Sequence, residues 1–291
     1  MTNNMCEFYF WDVQHGHATY IRTPNGRHIV VDLGSGDYSR DDASFSPLCY
    51  IKNYMNVDQI DFLVITHPHL DHIDDILNLR DIEPKVLLRP IQLTKSEIMS
   101  GVQPKDKPKF DAYCDLSSRY GFSVGGDSVN ETSYSGNWGG LNIQTFSPQN
   151  CSHSNFNNHS IISVFEFEGV KVVIPGDNER CSFDELMLQP SFKQAIRDAD
   201  VLLAPHHGRE SGYDKDFVSL VNPKITIVSD GRFCSTSANV RYSNNSSGWK
   251  TYYRGGREAS VRKCLTTNSD GHVVVKIGRN ATSNFLYVEA S

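Results

Sequence analysis

The sequence predicts a single α/β domain, because short apolar runs with strand character alternate with helical patterns and no segment repeats another. Its 291 residues are enough for one large core, since single α/β domains commonly exceed about 200 residues. We therefore expect one domain over residues 1–291. The formal charge of −6 disfavours broad non-specific nucleic-acid binding, although a local basic patch can still hold a phosphate backbone.

The elements follow in order along the chain. Strands are predicted at 7–13, 18–23, 27–33, 59–67, 141–147, 160–168, 170–177, 199–207, 224–231 and 271–278. Helices are predicted over 46–56, where Ser46 and Pro47 form an N-cap and first-turn pair, over 71–81, and within 94–120. The segment 232–257 is polar and aperiodic, which predicts a long loop inserted in the domain.

Cysteine usage and the N-terminal pattern indicate a reducing compartment. The seven cysteines are scattered and form no C-x-x-C pair, so we expect reduced thiols. The N-terminus carries no signal pattern, and no run approaches the ~20 apolar residues of a membrane span. The sequence therefore predicts a cytoplasmic protein with no membrane partner.

Side chains of metal-ligand type crowd one turn, in the stretch ITHPHLDHIDD. His67 and His69 stand two apart at the end of a predicted strand, so their side chains point the same way. Asp71 and His72 begin the next element. Any one of these histidines alone is most simply a solvated turn residue. Four such residues in H-x-H-x-D-H order instead predict a site for two divalent ions about 3.5–4 Å apart.

Further candidate ligands follow two later strands. Asp177 ends the run VVIPGD, and His206 and His207 end the run VLLAPHH. Taken alone, the aspartate is equally ordinary turn chemistry and the histidine pair can decorate a helix entry. Because a metal pair needs about three protein ligands per ion, these residues become ligand candidates once the first cluster is considered.

These motifs resemble the metallo-β-lactamase superfamily. H-x-H-x-D-H after a strand, the aspartate of GD and a histidine of PHHG fit its pattern. The run FWDVQHGHATYIRTPNGRHIVVDLGSG is similar to the opening of the hydrolase domain of ComEC-type competence DNA-uptake channels and their freestanding relatives. The likeness spans almost the whole chain, without the membrane channel. It implies an α/β fold of four layers, an αββα sandwich with metal ions at the sheet edges.

The resemblance also implies a ligand set. His67 and His69 are carried over to the first ion, Asp71, His72 and His206 to the second, and Asp177 as the bridging carboxylate. The third ligand of the first ion stays open between His159, which stands where ComEC-type sequences carry asparagine, and His153. The ions implied are two divalent metals, zinc or, as the alternative, manganese.

The activity implied is dinuclear metal-dependent hydrolysis of DNA or RNA, a phosphodiesterase or nuclease reaction in which a metal-bridging hydroxide attacks phosphorus. Asp71 is the candidate catalytic residue that acts through its metal, and Arg209, where the family has serine, is a candidate fork for a phosphate oxygen. His207 or His17 is the candidate proton donor to the leaving group. Asp32 either orients a ligand imidazole or is an ordinary strand-end carboxylate.

Two departures from the family's opening, His15 and His17, also place imidazoles near the expected site. Basic and aromatic residues in and after the polar segment predict contacts to a nucleic-acid backbone and its bases. They are Arg232, Arg241, Lys250, Arg254, Arg257, Arg262 and Lys263, with Tyr242, Trp249, Tyr252 and Tyr253. The alternative for this segment is a solvated loop.

Two other functions stay open at this point. One is hydrolysis of a small ester, thioester or lactone, which requires a deep apolar pocket. The other is a metal-stabilised, non-enzymatic module of a multi-protein complex. Freestanding relatives belong to multi-gene bacterial defence systems, which implies partner proteins such as an ATPase or a protease.

Overall fold

The computed structural model describes residues 4–37, 40, 42–231, 238–256 and 258–291. The strands of these ranges are β1 Met5–Phe10, β2 Thr19–Arg22, β3 His28–Val31, β4 Ile60–Val64, β5 Pro84–Leu88, β6 Asn142–Phe146, β7 Ile162–Phe167, β8 Val170–Ile174, β9 Val201–Leu203, β10 Ile225–Val228, β11 Trp249–Tyr253, β12 Ser260–Arg262, β13 Cys264–Thr266, β14 Val273–Arg279 and β15 Asn284–Ala290. The α-helices are α1 Pro47–Met55, α2 Leu70–Ile73, α3 Lys95–Met99, α4 Lys107–Arg119, α5 Arg180–Leu186, α6 Pro190–Ile196, α7 Lys215–Val221, α8 Asn239–Asn245 and α9 Thr267–Asp270. Short 3₁₀ helices lie at Ile76–Asp81, Ser135–Trp138, Phe156–His159, Pro205–Gly208, Glu210–Gly212 and Arg254–Gly256.

The strands of the described ranges form two sheets. The first has nine strands in the order β12-β11-β15-β14-β1-β2-β3-β4-β5, and the second has six in the order β13-β10-β9-β8-β7-β6. Neighbours β3, β4 and β5 run parallel in the first sheet, as do β8, β9, β10 and β13 in the second. Since the carboxyl ends of parallel strands meet at one edge, residues that follow β4, β8, β9 and β10 are brought to the edges of the two sheets.

Three buried apolar clusters separate four layers. The central one lies between the sheets and includes Phe8, Phe62 and Phe165. A second, with Tyr113 of α4, covers the outer face of the nine-stranded sheet, and a third, with Phe217 of α7, covers the outer face of the six-stranded sheet. The αββα sandwich expected from the sequence is therefore confirmed. In the described part of the chain, no helix combines the length and apolarity needed to cross a membrane.

The helix predicted at 46–56 forms because its ends are capped as the sequence indicates. The Ser46 hydroxyl accepts a hydrogen bond from the Cys49 amide at 3.0 Å, and Pro47 occupies the first turn. Asn56 ends the helix in the left-handed region at φ 55°.

The helix predicted at 71–81 is interrupted. It consists of α2, Leu70–Ile73, and a separate 3₁₀ helix, Ile76–Asp81. The cause is competition from tertiary backbone bonds: the Asp75 amide donates to the Leu33 carbonyl at 2.7 Å instead of to the preceding helical turn.

The polar segment at 232–257 is not one long loop. It contains helix α8 and strand β11, which pairs with β15. The helix is held by Tyr242, which is fully buried, and the strand by Trp249, whose indole N–H donates to the Leu286 carbonyl at 3.1 Å. One aromatic side chain anchors each element, the buried Tyr242 in the helix and the partly buried Trp249 in the strand, so no periodic apolar pattern marks either element in the sequence.

The expectation of uniformly reduced cysteines is wrong at one pair. Cys151 and Cys181 form a disulfide across a sequence separation of 30 residues. The bond ties the segment that precedes the 3₁₀ helix Phe156–His159 to helix α5. Cys6, Cys49, Cys114 and Cys264 are free thiols, and Cys234 lies outside the described residues.

Candidate metal centre

Four side chains from both sheets converge where the strands end. Asp71, His72, Asp177 and His207 each offer one ligand atom, and these atoms lie within 4.8 Å of one another. The Nε2 atoms of His72 and His207 are 3.3 Å apart. Asp177 places Oδ1 3.2 Å from His72 Nε2 and Oδ2 3.3 Å from His207 Nε2. The Oδ2 atom of Asp71 also lies 3.3 Å from His207 Nε2, so the two carboxylates flank the two imidazoles.

Close backbone packing positions these side chains. Gly176, at φ +61°, ends the turn after β8, and a Cβ there would lie 2.9 Å from the Cβ atoms of both Ser160 and Thr66. Only glycine lets this turn approach the end of β4 so closely. Asp177 is thereby held against the segment that carries His67, and its own amide donates to Ser160 Oγ at 3.0 Å.

Hydrogen bonds fix which nitrogen of each central imidazole faces the cluster. His72 Nδ1 lies 2.8 Å from Asp32 Oδ2, and His207 Nδ1 lies 3.0 Å from the Ser229 carbonyl oxygen. Carboxylate and carbonyl oxygens only accept, so both Nδ1 atoms carry the proton. When neither ring is doubly protonated, both Nε2 lone pairs therefore point at the carboxylates, which is the orientation that a metal ion requires.

The two carboxylates of the cluster favour positive charge between them, as the raised pKa values of the two imidazoles indicate. Burial alone would lower the pKa of His207, but Asp177 and Asp71 raise it to about 9. The pKa of His72 is likewise raised, against burial, by Asp177 and Asp32. Two carboxylates and two imidazole nitrogens at this spacing need positive charge between them, which protons or a divalent metal can supply. Imidazole and carboxylate donors fit zinc and related divalent ions.

Asp32 supports the cluster from beneath. It is fully buried at φ +59°, and its Oδ1 accepts from the Thr66 amide at 2.7 Å. Its Oδ2 accepts from Thr66 Oγ1 at 2.7 Å, in addition to His72. Burial would raise the pKa of Asp32, but His72 and His17 outweigh burial and hold it well below its usual range. This carboxylate therefore orients the His72 ring, one of the two roles expected from the sequence.

Comparison with known proteins agrees with this geometry. Residues 11–136 match the model of the metallo-beta-lactamase superfamily. It is 24% identical to ComE operon protein 3 of Bacillus subtilis over 235 residues, which cover 76% of this chain and 28% of that protein. It is 25% identical to Recombination protein 2 of Haemophilus influenzae over 223 residues, 76% of this chain and 24% of that protein.

The chain thus spans about a quarter of the length of these two relatives. Among solved structures, it is similar to a Thermotoga maritima protein described as a zinc-dependent hydrolase of the metallo-beta-lactamase superfamily. That similarity has a TM-score of 0.43 at 13% identity, and covers 90% of this chain and 97% of the other.

Two more histidines of the superfamily motif lie next to the cluster. The Nε2 atom of His67 is 2.9 Å from Nδ1 of His69 and 3.8 Å from Oδ2 of Asp177. The other ring nitrogen of His67 faces Ser160 Oγ at 3.2 Å. His67 and His69 thus lie beside Asp177, but they are outside the group of four ligand atoms that lie within 4.8 Å of one another.

His17 is not placed to protonate a leaving group. Its Nδ1 lies 3.0 Å from Asp32 Oδ2 and its Nε2 lies 2.7 Å from Thr19 Oγ1, so both ring nitrogens are engaged. The side chain is buried beneath Asp32, away from the residues that line the cavity. The structure thus places His17 as a support of Asp32 and not among the residues that line the cavity, and its role as a proton donor stays a prediction.

Both ring nitrogens of His159 are engaged in hydrogen bonds within the protein. Gln92 Nε2 donates to His159 Nδ1 at 3.0 Å, and His159 Nε2 lies 3.3 Å from the carbonyl oxygen of Ser152, to which it donates. Neither nitrogen retains a free lone pair, and the ring is fully buried. Its rival His153 bonds Glu97 Oε1 through Nδ1 at 2.8 Å. Neither histidine belongs to the group of candidate ligand atoms around Asp177, and the choice between them as a ligand of the first ion stays a prediction.

The two histidines of PHHG exchange the positions expected for them. Both have left-handed backbone, at φ 47° for His206 and 52° for His207, which costs about 1–3 kcal/mol at each non-glycine residue. His207, expected as a proton donor, enters the cluster. His206, expected as the last ligand of the second ion, lies 3.9 Å from Asp177 Oδ2 and donates from Nδ1 to Glu179 Oε1 at 2.9 Å.

A cavity of about 490 Å³ opens beside the cluster. It is lined by Gln14, His15, Ser35, His69, Leu70, Asp71, Asp74, Asn157, Asp177, His206 and Arg209. Arg209 donates from Nη2 to His15 Nε2 at 3.1 Å, and the same His15 nitrogen is 3.5 Å from Asp71 Oδ2. Arg209 thus lies at the predicted site.

Two groups that contact the histidines of the site were not predicted from the sequence. They are Glu179, which bonds His206, and the Ser229 carbonyl, which bonds His207. A signal for Glu179 exists in GDNE, where it stands two residues after Asp177. A backbone carbonyl such as that of Ser229 leaves no trace in the residue types.

The surface predicted to bind nucleic acid carries less unpaired positive charge than its basic residues suggest. Arg254 pairs with Glu289, Arg262 with Asp270, and Arg241 with Glu210. Tyr242, expected to stack on bases, is buried in the core. Arg232 and Arg257 lie outside the described residues. Much of the charge expected to meet a phosphate backbone is therefore neutralised within the chain.

Proposed function

We propose that this chain is a metal-dependent phosphodiesterase that acts on DNA or RNA. The observation that carries the proposal is the position of Arg209, which lines the same cavity as Asp71 and Asp177 and donates to His15, itself 3.5 Å from Asp71 Oδ2. A guanidinium at that place offers paired N–H donors to an anionic substrate, and its planar fork suits phosphate oxygens.

The lining of the cavity favours a charged substrate over an acyl compound. Among the described residues that line it, Leu70 is the one aliphatic side chain, and the others are polar or charged. A site for a small lactone or thioester would bury apolar groups of its ligand against apolar walls. The name of one relative, Recombination protein 2, accords with nucleic acid as the substrate class.

The residues divide the work as follows. Asp71, His72, Asp177 and His207 would hold divalent metal, and His67 and His69 lie next to them. Bound metal supplies Lewis acidity that activates water and offsets negative charge on the phosphoryl group. Asp32 and the Ser229 carbonyl keep the lone pairs of the two imidazoles aimed at the cluster. Arg209 binds a non-bridging phosphate oxygen and orients the diester in the cavity.

The test is hydrolysis by the zinc- or manganese-loaded protein. Single- and double-stranded DNA, RNA and bis(p-nitrophenyl) phosphate are compared with p-nitrophenyl acetate, a thioester and a lactone. We expect cleavage of the diesters, and a fall of about 10- to 100-fold in kcat/KM for Arg209→Ala. Arg80→Ala, whose side chain is 81% exposed, is the matched control and should behave as wild type.

The other outcomes assign a different function. Turnover of the acetate, thioester or lactone with the diesters intact would identify an acyl hydrolase. If metal-loaded protein hydrolyses none of these substrates, a non-enzymatic module of a larger complex would be favoured.

A further inference from the structure

We propose that a second cavity beside the candidate metal cluster binds the nucleoside attached to the phosphate that is hydrolysed, with Phe156 as the residue that stacks on the base. The inference rests on the proposed diesterase function. It adds to that function the part of the substrate, beyond the phosphate, that this chain recognises.

The second cavity has a volume of about 550 Å³ and lies between helix α3 and residues 153–156. Small-molecule sites commonly have volumes of about 300–1,000 Å³. His69 lines this cavity and also the first cavity, the one that contains Asp71 and Arg209. The two cavities therefore meet at this side chain, so a group bound in the second lies next to a phosphate bound in the first.

The two cavities differ in charge. The first is lined by Asp71 and Arg209. Among the described residues that line the second, Glu97 is the one acidic side chain, and there is no lysine or arginine. The Glu97 carboxylate already has partners, because Oε2 accepts from the Thr94 amide at 2.7 Å and Oε1 lies 2.8 Å from His153 Nδ1. The lining of the second cavity thus suits the uncharged sugar and base of a nucleotide.

Phe156 lies where the two cavities meet. Its ring centroid is 5.8 Å from that of His69, and the two ring planes are inclined by 30°. The ring is partly buried, because it packs against the apolar cluster on the outer face of the nine-stranded sheet. Its remaining surface lines the second cavity. A phenyl ring anchored in this way is a suitable platform for a base, since every base has a π-face that stacks on aromatic side chains.

Hydrogen-bonding groups line the same cavity. The hydroxyls of the exposed residues Ser96 and Ser100 can each donate or accept. His153 donates from Nδ1 to Glu97, so the neutral ring keeps a lone pair on Nε2, and its side chain is 40% exposed. Sugar hydroxyls and the edge of a base carry the complementary donors and acceptors.

The wall that carries Phe156 is held in place by the protein itself. Cys151 is joined to Cys181 of helix α5 by the disulfide. Asn155 donates from Nδ2 to Glu179 Oε2 at 2.7 Å. A wall that is ordered before the ligand binds lowers the conformational entropy that binding must offset.

The experiment measures the binding of thymidine 3′-monophosphate, thymidine 5′-monophosphate and methyl phosphate to zinc-loaded protein by calorimetric titration. These probes share the phosphate group and differ in the nucleoside. We expect at least one nucleotide to bind about 5- to 150-fold more tightly than methyl phosphate, the range that stacking of one base on an aromatic side chain contributes. Phe156→Ala should lose most of that preference, whereas Phe156→Tyr, which keeps an aromatic ring, should retain it.

Two further variants separate base stacking from general loosening. Ser100→Leu fills part of the second cavity from an exposed position without altering Phe156, and should also reduce the preference for nucleotide. Phe122→Ala is the matched control, because that ring is 98% exposed and lines neither cavity, and it should bind all three probes as wild type does. Circular dichroism and metal analysis confirm that each variant is folded and loaded with zinc.

The inference is overturned if wild-type protein binds methyl phosphate as tightly as both nucleotides. It is also overturned if the nucleotide preference survives in both Phe156→Ala and Ser100→Leu.

The proposed function is tested separately, by hydrolysis of DNA, RNA and bis(p-nitrophenyl) phosphate. Hydrolysis of these diesters by wild-type protein that has no preference for nucleotides rejects the nucleoside site alone. A nucleotide preference that depends on Phe156, in a protein that hydrolyses no diester, rejects the diesterase and leaves the second cavity as a nucleotide-binding site. Protein that binds no nucleotide and hydrolyses no diester overturns both.

Discussion

Substitution of Asp32 by asparagine tests whether this buried carboxylate sets the state of the metal ligands. Its Oδ2 atom accepts from three side chains, at 2.7 Å from Thr66 Oγ1, 2.8 Å from His72 Nδ1 and 3.0 Å from His17 Nδ1. An amide nitrogen at that position accepts none of them. The Thr66 hydroxyl can rotate to accept, and the His17 ring can take its proton on Nε2, where Thr19 lies 2.7 Å away.

For His72, neither tautomer keeps both a hydrogen bond at Nδ1 and a lone pair directed at the cluster. If its proton stays on Nδ1, a buried donor faces the new amide without an acceptor, which costs about 1–3 kcal/mol. If its proton moves to Nε2, the lone pair is removed from the cluster. The remaining hydrogen bonds also become weaker, because a neutral amide replaces a carboxylate. We therefore expect Asp32→Asn to lower the unfolding free energy by about 2–4 kcal/mol and the zinc affinity by about 10- to 100-fold.

The assay pairs urea unfolding of the metal-free protein with calorimetric zinc titration. Asp75→Asn is the matched control, because Asp75 is also buried but accepts from the Leu48 amide, the Ser46 hydroxyl and Asn78. It should lose stability without losing zinc affinity. Wild-type zinc affinity in Asp32→Asn, or an equal loss in both variants, would refute the reasoning.

Three further substitutions report on the scaffold. Replacing Cys151 and Cys181 together by alanine should lower the unfolding free energy by about 3–4 kcal/mol, since their bond closes a 30-residue separation; an unchanged urea midpoint would contradict this. Gly176→Ala should reduce zinc uptake, because the new Cβ meets two others at 2.9 Å; wild-type uptake would show that the turn can relax. Burial would raise the pKa of Asp61, but hydrogen bonds from Lys85 and a backbone amide lower it. Its stabilisation is thus complete above the unfolded-state pKa and lost as pH falls through the folded-state pKa. The difference in unfolding free energy between wild type and Asp61→Asn should therefore shrink in acid, and a constant difference would count against the pairing.

The alternation of strands and helices and the first motif could be predicted from the sequence because both depend on local spacing, whereas the four layers were implied only by the resemblance to a known family. His67, His69, Asp71 and His72 follow a continuous apolar run, so their arrival at the end of β4 needs no knowledge of distant residues. Strand β5 and strand β15 were not anticipated. Strand β5 is short and begins with a proline, which is unusual inside a strand. Strand β15 is defined by its pairing with β14, and it lies far in the sequence from any candidate ligand.

The remaining site residues depend on geometry that residue types do not encode. Which of His206 and His207 faces the cluster is decided by two left-handed backbone angles. The two ring nitrogens of His159 bond to Gln92, 67 residues earlier in the chain, and to a backbone carbonyl. The Cys151–Cys181 pair has no recognisable spacing pattern, and only the fold brings its members together.

The candidate metal cluster draws one pair of side chains from each sheet. Asp71 and His72 follow β4 of the nine-stranded sheet, whereas Asp177 and His207 follow β8 and β9 of the six-stranded sheet. An ion bound there joins the two halves of the sandwich, and ligand binding to the folded state alone adds about 2.7 kcal/mol of stability at 100 times the dissociation constant. Cells short of the metal should therefore contain more unfolded chains, which proteases remove, so that the cellular amount of this protein follows the metal supply.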